Sequence, residues 1–519
     1  MDEFSFIRDY PKKINLSMVT FTTAQPVAPA AYSFPGYVLR QQKRYLFIAL
    51  PAILLQFVVL KLLYPYPDFI SDSYSYISTA ELQMSVNLWP VGYSWFISAL
   101  HMLTSSDIAL LACQYFFLEA SLLLFFYTFL YFYRPARNTS NILFIFLFCN
   151  PLFLWLSNAV LSDALFNSLS IIWWVQFLWM LNRPKLYQVF ILAVVLGIAF
   201  TIRYTAMYYP LVAAVAFTLS SHQLRWKIIG SLMGVVIIIP FVLFTKQKTK
   251  EVTGTPEFSV FGSWQLANNA LYMYDHIEVD STKIPPESRE LDRLVRSYFK
   301  AVPPQYRELD PFPGTFFIKT PDAPLKVYMM SRYNLVSPEQ QFKVWGMVSP
   351  IYNSYGTWLI RHYPLAFARY YLWLNTKNYF LPHLEKYGNY NSGSDGIGNA
   401  AQYWFHYETN IVRSASKKLP GIIFFAYPPV FMILNFYFYG AVIWLLITGR
   451  WRNLHPLFVK TLLLLVSYLV VNFAFSIFAT PVVLRYQVLP FILLFSYSLL
   501  LLEFTDNSRK KHISLMGQQ

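Results

Sequence analysis

Repeated apolar runs of membrane-spanning length constrain this chain more than any other feature. A spanning helix needs about 20 mostly apolar residues. Runs of this kind occupy roughly residues 45–64, 107–133, 140–157, 163–181, 186–201, 204–220, 227–245, 421–447, 458–478 and 485–503. The shorter ones are expected to tilt, or to bury against neighbours. The balance of residue types agrees. Hydrophobic residues fill 56% of the 519 positions and charged residues 13%, whereas soluble domains carry roughly 25% charged residues. A soluble fold is excluded, and so is disorder, which needs low hydrophobicity and high charge. The expected fold is an all-α polytopic membrane bundle of about ten transmembrane helices, with interfacial helices and a mixed extracytoplasmic domain.

The formal charge of +15 follows from the same reading, because Lys and Arg concentrate in cytoplasmic loops. No basic stripe with interleaved aromatics marks nucleic-acid binding, so no nucleic-acid partner is expected. Cys113 and Cys149 both lie in apolar runs, which argues against a disulfide framework or a zinc site. The first forty residues have no apolar core of a cleaved signal peptide. The basic clusters set an orientation. Arg40, Lys43 and Arg44 precede the first run, and Arg134 with Arg137 follow the second. Further pairs follow the fourth, sixth and eighth runs, and Arg509, Lys510 and Lys511 follow the tenth. With ten spans all of these fall on one side, the cytoplasmic one, together with both termini. Residues 91–103 are then an interfacial helix, since a span there would invert the later clusters. Lys246, Lys248 and Lys250 go against the rule but open a long loop, which translocates largely regardless of charge.

The domain plan follows. Residues 1–44 are a cytoplasmic tail. Residues 45–245 form an N-terminal membrane module whose first outer loop is 64–106. Residues 246–420 form an extracytoplasmic domain, 421–503 hold the C-terminal helices, and 504–519 are a second cytoplasmic tail. Within the large domain, Leu291, Leu294, Val295 and Tyr298 share one face of an amphipathic helix over 287–300. Residues 357–381, with Arg361, His362, Arg369 and Lys377, suit a helix at the membrane surface. Residues 387–399 are rich in Gly, Asn and Ser and read as a mobile loop.

Candidate chemistry gathers on the outer side. In the first outer loop Asp72, Tyr76 and Ala80 recur every fourth residue, so one helical face carries them. A carboxylate at a helix start above the bilayer is placed to act as a general base; the plainer role is a helix cap. Asp163 offers a second carboxylate with the same two readings. Arg203-Tyr204 and Arg485-Tyr486 lie at outer ends of spans. Their guanidinium forks suit phosphate or carboxylate, while the plainer role is interfacial snorkelling. Glu119 lies mid-span and is a candidate proton relay, or a bundle-interior acid. His362, His383 and His406 have no metal-ligand spacing, so no metal site is assigned to them, and the sequence specifies neither a cofactor nor a divalent-metal requirement.

These features together resemble the GT-C superfamily of polyprenyl-phosphate-sugar-dependent glycosyltransferases, which includes protein O-mannosyltransferases and the bacterial aminoarabinose transferase for lipid A. The resemblance rests on Asp72-x-x-x-Tyr76-x-x-x-Ala80, then Trp89-Pro90-x-Gly92-Tyr93, Ser162-Asp163, Arg203-Tyr204 and Arg485-Tyr486 before Pro490. It covers the layout from about 45 to 250 and, more loosely, the C-terminal spans. It implies a catalytic Asp72, with Asp68 one turn away as fallback, and a second acidic position at Asp163. It also implies that Arg203 and Arg485 hold the lipid phosphate; Tyr76, Tyr204, Tyr486, Arg361 and His362 are the further substrate-binding candidates. The implied partners are a polyprenyl-phosphate-sugar donor, a protein, lipid or glycan acceptor, and the lipid bilayer. The implied activity is inverting sugar transfer on the extracytoplasmic side. The compact loops and absent targeting segment point to a bacterial inner membrane. A secondary transporter using Glu119 is the alternative, and a non-catalytic subunit handling lipid-linked glycans is a third.

Overall fold

The computed structural model describes residues 33–307, 314–333, 338–479 and 481–516. Among them the chain is helical throughout; three isolated bridges take the place of any sheet. Among the described residues eight helices are long and apolar enough to cross a membrane, so the chain reads as an integral membrane protein.

The elements that position the site are these, in chain order. Helix α1 spans Lys43–Leu63, α2 Ser71–Glu81, α3 Gly92–His101 and α4 Asp107–Tyr133. Helix α5 covers Arg137–Ser157 and α6 Asp163–Asn182. Helices α7 (Tyr187–Ile202) and α8 (Tyr204–Leu219) follow, then α9 (Leu224–Thr253). The large connecting region contributes α10 (Val260–Leu271), α11 (Arg289–Ala301), α12 (Pro324–Arg332) and α13 (Pro338–His362). Helices α14 (Leu419–Ile447), α15 (Pro456–Ala479) and α16 (Val488–Met516) close the chain.

All ten apolar runs are helical, but two fall short of the length of a simple span. Helices α7 and α8 are shorter apolar helices, α7 having 16 residues. At 1.5 Å per residue that is about 24 Å, against a hydrocarbon core of about 30 Å. They meet at Arg203, whose extended backbone (φ −146°, ψ 128°) breaks the helix between them. Residues 92–101 form the ten-residue helix α3, too short to span.

Local chemistry explains several boundaries. Ser106 caps α4, its hydroxyl accepting from the Ala109 N–H at 3.3 Å. Arg134 ends α4 in a left-handed conformation just before Pro135. Helix α9 runs on through Lys246, Lys248 and Lys250 to Thr253 and stops at left-handed Gly254, so the sequence boundary at 245/246 falls inside a helix.

Two apolar cores form. One joins α1 and α4–α8 with the three C-terminal helices. The other gathers α10–α13 with Val86 from the first loop. The region expected to be mixed is therefore helical in its described part, because its apolar residues recur at helical spacing. In α11, Leu291 and Val295 are buried, with Leu294 and Tyr298 packed beside them. The expected helix over 357–381 is divided. Helix α13 ends at His362, and Tyr363 precedes Pro364, where the proline ring disfavours helical backbone.

Gly92 fixes how the first loop meets the bundle. A Cβ there would lie 2.4 Å from the Thr201 hydroxyl and 2.6 Å from its carbonyl oxygen. Only glycine lets the start of α3 press against the last turn of α7, next to Arg203.

Candidate active site

Neither candidate carboxylate caps its helix. At α2 the Ser73 hydroxyl takes the Ile70 N–H at 3.1 Å, which leaves Asp72 free to turn elsewhere in the first turn. At α6, Ser162 spends its hydroxyl on the Tyr76 phenol, 3.0 Å away, and Asp163 points to arginine. The plain capping reading fails at both positions because a neighbouring serine is otherwise engaged and a cation is within reach.

Arg485, one turn before α16, is the hub. Its Nη2 meets Asp72 Oδ2 at 3.3 Å, its Nη1 meets Asp163 Oδ2 at 3.2 Å, and its Nε meets Glu385 Oε2 at 2.5 Å. Arg203 binds the other Asp163 oxygen. Tyr486 lies between the two cations, with guanidinium carbons 4.5 and 4.6 Å from its ring centre. Arg485 and Asp163 are almost wholly buried, whereas 20% of the Asp72 side chain remains exposed. Stacking a guanidinium on an aromatic face suits its weak hydration. The arginines are thus built into the site, and simple snorkelling does not describe them. Four sequence-predicted charges from four separate elements converge here.

Glu385 and its neighbour Lys386 carry no spacing signal in the sequence. They reach the site on a strap, residues 383–393. The strap is tied to the start of α16 by the Leu484 N–H to the His383 carbonyl, 2.8 Å. Glu385, Asn391 and Ser392 all adopt positive φ, between 49° and 52°. Such backbone costs about 1–3 kcal/mol per residue and persists where surroundings over-determine it. Here they do: the Tyr390 N–H bonds the Lys417 carbonyl, and its phenol bonds the Tyr66 and Pro67 carbonyls. Residues 387–393, expected to be part of a mobile loop, are pinned by buried Tyr387 and Tyr390.

Asp68, expected one helical turn from Asp72, is placed differently. The helix does not extend back to it; Asp68 sits in the loop before α2, bridged to Ala159. One carboxylate oxygen accepts the Asn391 N–H at 2.9 Å, and the other is buried without a hydrogen-bond partner. Burial pushes its pKa up to about 6, against the pull of Lys386. Burial likewise lowers the Lys386 ammonium, which Asp163 and Asp68 hold up. Asp68 anchors the strap and does not line the cavity described next.

A cavity of about 890 Å³ opens beside the hub. Asp72, Tyr76, Arg203, Tyr204, Glu385, Arg485 and Tyr486 line it on the side of the first core. The second core supplies the facing wall, including Phe261, Lys326 and Trp345. The cores meet where Trp89 packs on Phe261, their ring centres 4.6 Å apart. Asp163 stands behind the arginines. Arg361 and His362, expected to bind substrate, are instead exposed at the end of α13 and outside the cavity lining. His362 stacks on Trp358 and bonds the Trp358 carbonyl at 2.9 Å. Both sit in the last turn of α13, just before the break at Pro364. Glu119 is buried in α4, apart from the cavity. Among the described residues no group of three or more metal-ligating side chains assembles.

Chemically, the site offers one partly exposed carboxylate, two arginines held rigidly by a buried acid, and a roomy chamber with aromatic walls. That combination can orient a hydroxyl, take its proton, and neutralise an oxyanion. No family model, curated protein or solved structure matches the chain.

Proposed function

We propose that the chain is an integral-membrane glycosyltransferase. It moves a sugar from a polyprenyl-phosphate donor to a hydroxyl acceptor, on the extracytoplasmic face implied by the basic-loop pattern. The observation that carries this reading is the convergence of Asp72, Asp163, Arg203 and Arg485 beside one large cavity. These are the residues that the GT-C resemblance had singled out from the sequence.

The geometry suggests a division of labour. Asp163, doubly bound and buried, sets the two guanidinium planes and is unsuited to proton transfer. Asp72 is the partly exposed acid on the cavity. Its 3.3 Å contact to Arg485 is longer than the 2.7–2.9 Å of a strong charge-assisted bond, so an incoming phosphate can take its place on the guanidinium. Asp72 then accepts the acceptor hydroxyl proton as that oxygen bonds to the anomeric carbon. The bond from anomeric carbon to phosphate oxygen breaks with its electron pair going to the phosphate, where Arg203 and Arg485 balance the charge. One displacement inverts the sugar.

The test is release of polyprenyl phosphate from a panel of radiolabelled polyprenyl-phosphate sugars by protein in nanodiscs. Wild type is expected to turn over at least one donor, and Arg485→Ala to lose it. No release from any donor that demonstrably binds would refute the proposal.

A further inference from the structure

The cavity lining carries a cation, Lys326, that the hub does not hold. The lining includes Arg203, Arg485, Lys319 and Lys326 against the carboxylates of Asp72 and Glu385. Both of those carboxylates are held by Arg485, and Asp163 behind them binds both arginines. Among the described residues every ion pair that Asp72, Asp163 and Glu385 make is with Arg203 or Arg485. Among the described residues Lys326 forms no ion pair. Its ammonium lies 4.1 Å from the ring centre of Trp345 and 5.3 Å from that of Trp264.

The setting is rigid. Trp264 and Trp345 stack at 4.0 Å and 19°, and the Trp264 indole N–H bonds the Trp345 carbonyl at 3.2 Å. Gly346 packs against Thr253, and Gly356 against the backbone of Leu266, so α13 lies tight on α9 and α10. Lys326 is in the first turn of α12. It is thus a desolvated cation on a fixed aromatic platform, facing open space instead of an acid. Burial lowers its pKa to about 8, so an anionic partner would restore the charged form.

We propose that Lys326, on the Trp264–Trp345 platform, is a subsite for an oxyanion, a phosphate or carboxylate, on the molecule that fills the cavity beside the Asp72–Arg485 hub. The hub reads the reacting end of a substrate, and Lys326 reads a second, negatively charged group. The inference builds on the transferase reading of the cavity, but its test reads occupancy and not turnover, so the two can fail separately.

The experiment is acylation of Lys326 in the full-length protein in nanodiscs, followed by mass spectrometry. The probes are inorganic phosphate, glucuronate, neutral glucose, and polyprenyl phosphate added to the disc lipid. An oxyanion probe is expected to slow acylation about tenfold, the scale of one charge-assisted bond, while glucose leaves the rate unchanged. Protection by polyprenyl phosphate alone assigns the anion to the lipid; protection by glucuronate or phosphate assigns it to a soluble group. Lys326→Met should weaken the protecting probe about tenfold by tryptophan fluorescence, with Lys326→Arg binding near wild type. Rates unaffected by every oxyanion, equal protection by glucose, or unchanged probe affinity in Lys326→Met would overturn the proposal.

Discussion

Removing the Asp163 charge should destabilise the protein through one partner in particular. Asp163 is 1% exposed and binds both Arg203 and Arg485. Arg485 keeps Glu385 and Asp72 when Asp163 is lost. Arg203 has no other carboxylate among the described residues. Breaking a buried pair from one side costs about 3–5 kcal/mol, because the surviving charge stays buried. An asparagine at 163 can still accept one hydrogen bond, so Asp163→Asn should cost about 3 kcal/mol, the low end of that range. The cost should be traceable to Arg203. In a cycle with Arg203→Met, which also removes the stacking on Tyr486, the stacking cancels and the coupling should be about 2–3 kcal/mol. The assay is reversible unfolding in mixed micelles, followed by tryptophan fluorescence. A coupling below about 0.5 kcal/mol, the limit at which independent sites simply add, would refute the idea that Asp163 holds the arginines in place.

Gly92→Ala should cost about 1–3 kcal/mol by overpacking and displace α3 from α7, read as a lower unfolding midpoint together with lost turnover. Tyr76→Phe removes the bond to Ser162 and keeps the ring on Tyr93, so about 1 kcal/mol should be lost in the same assay. Asp68 predicts a pH dependence with a definite sign. Its folded pKa is raised from 3.8 to about 6, so the folded state holds the proton more tightly than the unfolded one. The resulting stability is fully present below about pH 4 and is lost as pH rises through about 6. Unfolding midpoints taken between pH 4 and 7 should fall with pH in wild type and lose that slope in Asp68→Asn.

The parts of this protein legible in its sequence are those with a period or a side. Apolar runs mark the helices, and basic clusters order them, because both are local consequences of the bilayer. Asp163, Arg203 and Arg485 stand out because each is a charge at the end of an apolar run, and Asp72 because it opens a four-residue repeat in the first outer loop. Lys386 and Glu385 did not, since they arrive by strained backbone, and left-handed glutamate or asparagine leaves no trace in composition. Asp68 was misplaced by extending a helix that Ser71 in fact begins. Arg361 and His362 were misplaced because residues 357–381 divide at Pro364, and nothing in an aromatic, half-apolar run says which way its charged residues turn.

The most direct test of the central claim is a single-turnover measurement on Asp72→Asn. The variant, wild type and Arg361→Ala would be loaded in nanodiscs with a polyprenyl-phosphate sugar that the wild type turns over. Bound donor and released polyprenyl phosphate would both be counted. The account predicts that Asp72→Asn binds donor and releases the lipid phosphate at least about a hundredfold more slowly, the scale of general base catalysis, while Arg361→Ala behaves as wild type. Release by Asp72→Asn at the wild-type rate would contradict it.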